Sequence, residues 1–337
     1  MANLKLGLAQ GYWSAAPHPD FVAMAQEAER LGFDSVWSAE AWGNDAFTPL
    51  CWIGAQTEKI KLGTAVVQLS GRTPTSCAMH ALSLDYLSNG RFMLGLGVSG
   101  PQVVEGWYGR PFPKPLARTR EYVDIIRQVF AREAPVTNDG PHYPLPYPGE
   151  DGTGLGKPLK PIVHPLRKRI PIYMGAEGPK NIALATEIAD GWLPLFYNPY
   201  DESVYAESLT NMRPDFDIAQ MVQVTVTDDI EAGLLPFKYH MSFYVGGMGA
   251  KSTNFHKDLF VRMGYEEEAE KIQALFMQGK RDEAAQVIPS ELADAMTLTG
   301  PKDRIRDRLQ AWRDSKVTTL LVATTDKDML RTIVELV

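Results

Sequence analysis

Short apolar runs alternate with amphipathic stretches along the whole chain of 337 residues. Eight of these runs are rich in β-branched residues or bounded by glycine, which is typical of buried strands. They cover residues 4–9, 34–38, 61–67, 92–98, 171–175, 191–196, 219–226 and 318–323. The pattern therefore predicts eight strands.

Between these strands, apolar residues recur at helical spacing. In residues 20–32 the apolar positions form one stripe, and the stretch stops at a glycine, as a helix C-terminus commonly does. Residues 117–131 and 178–191 show similar patterns. Such alternation predicts parallel strands covered by helices, and eight units in one chain favour a closed (β/α)8 TIM barrel over an open sheet. We expect residues 1–337 to form a single domain of this type.

A barrel of this type needs only about 250 residues, so part of the chain must lie in insertions. After the fourth strand and its helix, residues 133–169 are dense in proline and glycine and lack helical periodicity. Within them, residues 136–143 predict a small hairpin that turns at Asp-Gly. A second insertion is expected at residues 237–300, as helices interrupted by a glycine-rich hinge. Long insertions of this kind are commonly functional.

Composition limits the partners of the protein. Lys and Arg total 34 against 41 Asp and Glu, a net charge of -7, which argues against general binding of nucleic acid or of an anionic membrane. The N-terminal residues read as an apolar strand rather than a signal peptide, and no apolar run is long enough to cross a bilayer. We therefore expect a cytoplasmic protein that acts on a small-molecule substrate.

Several common site chemistries are not indicated by the sequence. The six histidines lack metal-ligand spacing, so no metal site is expected. Cys51 and Cys77 are expected to be buried, reduced thiols. Residues 95–100 (GLGVSG) superficially match a dinucleotide fingerprint, but their spacing is wrong for a Rossmann fold. A G-x-S-x-G nucleophile elbow is absent from the sequence.

In TIM barrels the active site lies at the carboxyl ends of the strands, so the residues that follow each strand are candidates for it. Aromatic, acidic and glycine residues follow the second, third, fourth and fifth predicted strands. They include Glu40, Trp42, Asp45, Gln68, Ser99, Gly100, Ala176 and Glu177. This set predicts one cavity for a large ligand that itself supplies hydride or electron chemistry.

Residues 174–191 have a possible anion site at their start. Gly175 and Gly178 bend the chain just before a helix that begins at Pro179. Exposed amides and the helix dipole at such a position favour a phosphate group. The alternative is that the glycine before the proline only caps the helix.

Five motifs in conserved order carry a family resemblance: LGLAQGYW (6–13), AERLGFDSVWSAEAW (28–42), KLGTAVVQLSGRTP (61–74), SLDYLSNGRFMLGLGVSG (83–100) and IPIYMGAEGPKNIALATEIADGWLP (170–194). Together they resemble the bacterial luciferase-like superfamily. Within it they are most similar to the coenzyme F420-dependent oxidoreductases of mycobacteria and actinobacteria.

The resemblance implies a cofactor site at the barrel mouth. A deazaflavin or flavin ring would lie there, backed by a non-prolyl cis peptide bond that aligns with Ala65-Val66. The loop after the fifth strand would hold the cofactor phosphate. The implied cofactor-binding residues are Glu40, Thr64, Ala65, Val66, Gln68, Ser99, Gly100, Gly175, Ala176, Glu177 and Gly178, and the implied catalytic residues are Glu40, Trp42 and Asp45.

The sequence departs from one branch of this superfamily. Related sugar-phosphate dehydrogenases carry an Asp-His pair where this chain has Glu40-Ala41, and their fourth-strand glutamate is replaced around Pro101. Glucose 6-phosphate chemistry is therefore not expected. A group that exchanges a proton would have to be found elsewhere, and Glu40, Asp45, Tyr12 and His80 are the candidates.

Aromatic walls for the substrate are expected from Trp13, Trp42 and Trp107, with simple core packing as the alternative for each. The resemblance implies hydride transfer between C5 of coenzyme F420 and an organic substrate, in a homodimer. Two alternatives stay open: an FMN-dependent monooxygenase of a two-component system, and a non-catalytic ligand-binding barrel.

Overall fold

Within residues 4–250 and 252–337, which the computed structural model describes, eight parallel strands close into a barrel. The third barrel strand is built from two pieces, β3 and β4, and the last strand, β10, pairs with both β1 and β8 to close the ring. The strands are β1 Lys5–Gly11, β2 Ser35–Ser38, β3 Lys61–Thr64, β4 Val67–Gln68, β5 Phe92–Gly97, β6 Ile172–Gly175, β7 Gly191–Leu193, β8 Asp217–Val226, β9 Leu298–Gly300 and β10 Thr319–Ala323. The predicted (β/α)8 barrel is confirmed, and β9 lies outside the ring, paired with β8.

Helices cover the outside of this barrel and form most of the second insertion. They are α1 Phe21–Arg30, α2 Phe47–Gly54, α3 Pro74–Leu87, α4 Pro101–Gly106, α5 Pro115–Ala131, α6 Pro179–Ile188, α7 Ile230–Gly247, α8 Phe255–Arg262, α9 Glu266–Met277, α10 Arg281–Val287, α11 Ser290–Ala295, α12 Lys302–Asp314 and α13 Lys327–Leu336. Short 3-10 turns occur at Leu69–Gly71 and Ser203–Tyr205.

The predicted helices are present with small changes at their ends. α1 buries Met24, Ala25 and Ala28 along one stripe, as the periodicity predicts. It ends before Gly32, which adopts a φ of +83 degrees, a conformation that glycine accepts without steric cost. α5 and α6 correspond to the predicted stretches 117–131 and 178–191.

Large side chains fill the interior of the barrel. Trp37, Tyr173 and Leu321 belong to one buried cluster inside the ring of strands. The rings of Trp37 and Tyr173 meet edge to face, with centroids 5.1 Å apart. Because the interior is packed, a ligand can bind only above it, at a mouth of the barrel.

Both insertions are present. In the first, antiparallel bridges join Val136 to Leu159 and Asn138 to Leu145, so the expected hairpin is a loop closed by the single bridge at Asn138. In the second, α7 ends in a glycine-rich corner at residues 246–249 and α8 begins at Phe255. The predicted hinge therefore lies between these two helices.

The prediction of two buried thiols is right for Cys77 and wrong for Cys51, which is exposed on α2. A single buried cluster reaches from Leu4 to Leu336, which agrees with one domain, although the domain assignment stays a prediction. Every helix in the described part of the chain is too short or too polar to span a bilayer.

Candidate active site at the barrel mouth

A cavity of about 910 Å³ opens where the strands end. Trp37, Leu193 and Leu321, which belong to the packed interior, form part of its lining. Segments that follow β1, β2, β5, β6 and β7 surround it, and α7 and α8 of the second insertion complete the wall. The cavity is mainly apolar and large enough for an extended organic ligand.

The third barrel strand bulges where it meets the cavity. Gly63 pairs with Met93 and Val67 pairs with Leu96, so three residues, 64–66, lie opposite two residues of β5. The Ala65-Val66 peptide bond is cis, as the resemblance implies. Ala65 and Val66 both line the cavity.

Backbone and side-chain hydrogen bonds fix this bulge on both sides. The amide of Ala65 donates to the carbonyl of Ser38 at 2.7 Å, and the amide of Glu40 donates to the carbonyl of Val66 at 3.3 Å. On the other side, the Thr64 hydroxyl donates to the carbonyl of Gly95 at 2.9 Å and accepts from its amide at 2.7 Å. Thr64, a predicted cofactor residue, faces β5 and is not among the residues that line the cavity.

Glycines in β5 make room for the bulge. A Cβ atom on Gly95 would lie 1.8 Å from the carbonyl oxygen of Thr64, and one on Gly97 would lie 2.5 Å from Cγ2 of Val66. Both distances are far shorter than the non-bonded contacts that a Cβ atom makes in proteins. The alternating glycines of FMLGLG therefore have a steric role beside the cavity.

Glu40 lines the cavity, but its carboxylate is already engaged. It accepts from the amide of Gln68 at 2.8 Å, from the amide of Ala46 at 3.2 Å and from Nη1 of Arg72 at 2.9 and 3.0 Å. Burial would lower the pKa of Arg72, but the hydrogen bonds and charge of Glu40 hold it above its ordinary value. Glu40 thus ties the bulge to the loop before α2, and its predicted catalytic role stays a prediction.

Two side-chain oxygens at the cavity lack partners. Nε2 of Gln68 donates to the carbonyls of Glu40 and Ala41, which leaves Oε1 buried without a partner among the described residues. The same is true of Oδ1 of Asn181, in the first turn of α6. Buried acceptors without donors are unfavourable, so both positions suit a ligand that carries N–H or O–H groups.

The segment after β6 lies at the cavity as predicted. Gly175, Ala176, Glu177 and Gly178 line it, and Gly178 is the N-cap of α6, whose second residue, Lys180, also lines it. This places a cation and the N-terminus of α6 at one side of the mouth.

Glu177 has an unusual charge state. Its Oε1 accepts from the amide of Leu195 at 2.9 Å, and Arg262 donates to its carbonyl at 2.7 Å. Burial nevertheless raises the pKa of Glu177 to about 8, against the opposing effects of Leu195 and Arg262. The carboxyl group is therefore largely protonated at neutral pH and can donate a hydrogen bond.

The other predicted residues divide into two groups. Trp42, Ser99 and Gly100 line the cavity, and Trp42 is 48% exposed. Asp45 does not line it, because its carboxylate accepts from the amides of Phe47 and Thr48 and so caps the start of α2.

Three further candidates lie away from the cavity, whereas Tyr12 lies at it. Trp13 packs against Phe21, Trp107 is exposed, and neither lines the cavity, so the expectation that they form its walls is wrong. His80 is on the outer surface of α3, where its ring lies 5.2 Å from that of Phe47, and it cannot act at the cavity. Tyr12 is part of the lining.

Sequence reasoning missed the contribution of the second insertion. His240 and Tyr244 of α7, and Phe255 and His256 of α8, line the cavity. The two histidines are 16 positions apart and follow no known motif spacing. The sequence feature that could have predicted them is their position on either side of the glycine-rich corner, within otherwise apolar helices.

The fold and the cavity define a (β/α)8-barrel protein whose mouth is built for a large, mostly apolar ligand. Residues 6–319 match the luciferase-like monooxygenase family, and the chain belongs to that family.

Individual relatives agree with this assignment. A protein of Mycobacterium tuberculosis with the provisional name coenzyme F420-dependent oxidoreductase is 53% identical, over 100% of this chain and 99% of its own length. A 5,10-methylenetetrahydromethanopterin reductase of Archaeoglobus fulgidus is 29% identical over 86% of this chain and 85% of its own. The structure of the coenzyme F420-dependent tetrahydromethanopterin reductase from Methanopyrus kandleri superimposes with a TM-score of 0.76, at 24% identity, over 99% of this chain and 97% of that one, which shows the shared fold.

Proposed function

We propose that the protein is an oxidoreductase that uses coenzyme F420 and transfers a hydride between C5 of the deazaflavin and an organic substrate. Support comes first from the relative in Mycobacterium tuberculosis, because identity of 53% extends over both whole chains. Support from the structure comes from the cavity, where the bulge, the mostly apolar walls and two unpartnered oxygens lie together.

The residues present fit the cofactor. A deazaflavin carries a flat, largely apolar ring system with an imide N–H, and a side chain with hydroxyl groups and a phosphate. The apolar lining suits the ring, and the buried oxygens of Gln68 and Asn181 need donors of the kind that the imide and the hydroxyls provide. Gly178 and Lys180 are the residues that would hold the phosphate.

The chain itself contributes position and exclusion of water. When bound, the cofactor would supply a hydride donor or acceptor at C5. Ala65 and Val66 would support one face of its ring, because the bulge brings both residues into the cavity. The apolar walls would keep water away from the reacting atoms. Holding two reactants in a fixed relation can lower the activation barrier by on the order of 7 kcal/mol or more.

An FMN-dependent monooxygenase is the second candidate, because the family model itself is described by monooxygenase activity. FMN carries the same imide, hydroxyl and phosphate groups, so the cavity contacts named above suit both cofactors. Only a direct comparison of binding separates them.

The test is a parallel titration of the purified protein with F420 and with FMN, in which quenching of the cofactor fluorescence measures binding. We expect F420 to bind at least about tenfold more tightly than FMN. Tight FMN binding without quenching of F420 would overturn the proposal.

A pair of variants tests the phosphate site in the same assay. Lys180→Met is expected to weaken F420 binding, because it removes the cation at the start of α6. Lys157→Met is the matched control, since Lys157 is exposed in the first insertion and does not line the cavity. Equal affinities for the two variants would place the phosphate elsewhere.

A further inference from the structure

Two histidines from the second insertion share an aromatic cluster at the cavity. His240 of α7 and His256 of α8 both line it. The ring of Tyr244 packs against both, with its centroid 4.8 Å from that of His240 and 4.9 Å from that of His256. Phe196 also packs edge to face with both imidazoles, at 6.0 and 6.4 Å.

Each of these rings has a nitrogen whose hydrogen-bonding capacity is unused. Nε2 of His240 and Nδ1 of His256 are buried and have no partner among the described residues. The neighbouring rings of Tyr244 and Phe196 pack against the faces and edges of the imidazoles. A structural role in the core would be filled as well by phenylalanine, which would leave no polar atom unpaired.

Both imidazoles are neutral at physiological pH. Burial lowers the pKa of His240 to about 4, and burial together with the nearby His240 lowers that of His256 to about 4. A neutral imidazole carries one N–H donor and one acceptor nitrogen. The pair can therefore both donate to and accept from a ligand.

The charges at the cavity indicate which ligand this is. Beside the two neutral imidazoles, the described lining contains two carboxylic acids, Glu40 and Glu177, and one lysine, Lys180. Glu40 is neutralised by Arg72, and Glu177 is largely protonated at neutral pH. The remaining cation, Lys180, lies at the predicted phosphate site. None of the other described residues in the lining is a lysine or arginine that could bind an anionic substrate.

We propose that His240 and His256 bind the oxygen of an uncharged substrate, an alcohol or the corresponding ketone or aldehyde with an apolar body. This inference rests on the proposed function and names the class of substrate for it. A hydroxyl group needs one acceptor and can use one donor, and a carbonyl oxygen needs only donors; the two neutral rings supply both. Carboxylates and phosphates would bring a charge that the two neutral rings do not compensate, and are disfavoured.

The experiment uses the protein without cofactor, so that it does not depend on the F420 proposal. The six histidines are labelled with 13C at Cε1, and their NMR signals are followed during titration with cyclohexanol, cyclohexanone and cyclohexanecarboxylate. We expect the signals of His240 and His256 to shift with the two neutral probes. We expect binding of the carboxylate to be at least tenfold weaker.

Variants separate recognition from packing. His240→Phe and His256→Phe keep an aromatic ring in the cluster, and each is expected to weaken cyclohexanol binding at least tenfold. His80→Phe is the matched control, because His80 is exposed on α3 and away from the cavity. It should bind the probe like the unaltered protein.

The outcomes are distinct. A carboxylate that binds as tightly as the alcohol, or neutral probes that leave both histidine signals unchanged, would overturn this proposal. A positive NMR result together with failure of F420 to bind would support this site and overturn the cofactor proposal instead.

Discussion

At the scale of single residues, the most constrained positions are glycines that no catalytic motif would single out. Gly95 and Gly97 lie on β5, directly against the bulge formed by residues 64–66. Larger side chains there would occupy the space of the Thr64 carbonyl and the Val66 side chain. The shape of the cavity floor therefore depends on residues that would not contact a ligand themselves.

Replacing Gly95 with alanine should displace the bulge. We expect a loss of at least about 1–3 kcal/mol in the free energy of unfolding, together with weaker F420 binding, because the added Cβ overlaps backbone. Urea denaturation and cofactor titration measure the two effects. Gly106→Ala is the control, since a Cβ at that position meets nothing within 4 Å. If both variants behave alike, close packing at Gly95 is not what shapes the floor.

Glu40 and Arg72 offer a double-mutant cycle. Their side chains are 3% and 16% exposed, so removing Glu40 leaves a largely buried guanidinium without its counter-ion. We expect Glu40→Ala to cost about 3–5 kcal/mol in urea unfolding, and the double variant Glu40→Ala, Arg72→Met to cost less than the sum of the single changes.

The comparison for this cycle is the exposed pair of Arg120 and Glu187, whose side chains are 44% and 60% exposed. Its removal should leave the free energy of unfolding nearly unchanged, because water screens an exposed ion pair. Additive effects at Glu40 and Arg72 would show that the two side chains do not depend on each other.

Glu177 makes stability depend on pH with a definite sign. Its pKa is raised by burial from 4.5 to about 8, so the native state holds a proton that the unfolded state releases. This stabilisation is complete below about pH 4.5. Between pH 4.5 and 8 the free energy of unfolding decreases by up to about 1.4 kcal/mol per pH unit, and the stabilisation is lost as the pH rises through 8. In Glu177→Gln this loss should be absent.

The measurement is urea unfolding of the protein and of Glu177→Gln at pH 5, 7 and 9. The variant should gain in relative stability by a few kcal/mol as the pH increases. Glu187→Gln is the control, because the pKa of Glu187 is lowered, chiefly by its hydrogen bond with Arg120, and it does not titrate in this range. Parallel pH profiles for all three proteins would contradict the assignment of a raised pKa to Glu177.

At the scale of elements, the corner between α7 and α8 decides where the insertion meets the cavity. Asn254 joins both helices: its Oδ1 accepts from the amides of His256 and Lys257, and its Nδ2 donates to the carbonyls of Tyr244 and Val245. One side chain thus caps the start of α8 and satisfies free carbonyls near the end of α7. It also fixes the distance between the two histidines.

Asn254→Ala should loosen this corner. We expect a loss of about 0.5–2 kcal/mol from the missing cap, and faster amide hydrogen exchange in residues 252–262. Asp326→Ala removes a comparable cap from α13, where Asp326 accepts from the amide of Asp328. That control should not change exchange in α8, and equal exchange in both variants would show that Asn254 does not hold the corner.

At the scale of the whole molecule, the expected homodimer stays a prediction. α2 and α3 pack against each other and expose several large apolar side chains, Trp52, Met79, Tyr86 and Leu87, the last of them 79% exposed. Several exposed apolar side chains of this size on two packed helices are typical of an interface.

Light scattering tests this prediction. We expect the protein to have twice the chain mass of 37.4 kDa, and Leu87→Asp to shift it toward the mass of one chain. Met277→Asp is the control, because Met277 is also exposed but lies on α9. A single-chain mass for the unaltered protein would rule out the dimer.

Much of the architecture could be predicted because hydrophobic periodicity is local. Eight strands were expected and eight form the barrel, and the bulge at Ala65 and Val66 lies where the motif resemblance placed it. Two of the expectations that the structure does not support concern side chains that had two possible partners. Asp45 bonds to nearby amides of α2 instead of facing the cavity, and Trp13 packs on Phe21. Neither choice is visible in a linear pattern.

The sequence by itself determined the order of elements, the class of barrel and the edge at which the cavity lies, since these follow from the alternation of buried strands with helices. Only the tertiary structure decided which polar groups meet there. His240 and His256 face one cavity because the corner at Asn254 folds α8 back against α7. Their unpaired nitrogens result from burial among aromatic rings, which depends on contacts between segments far apart in the chain.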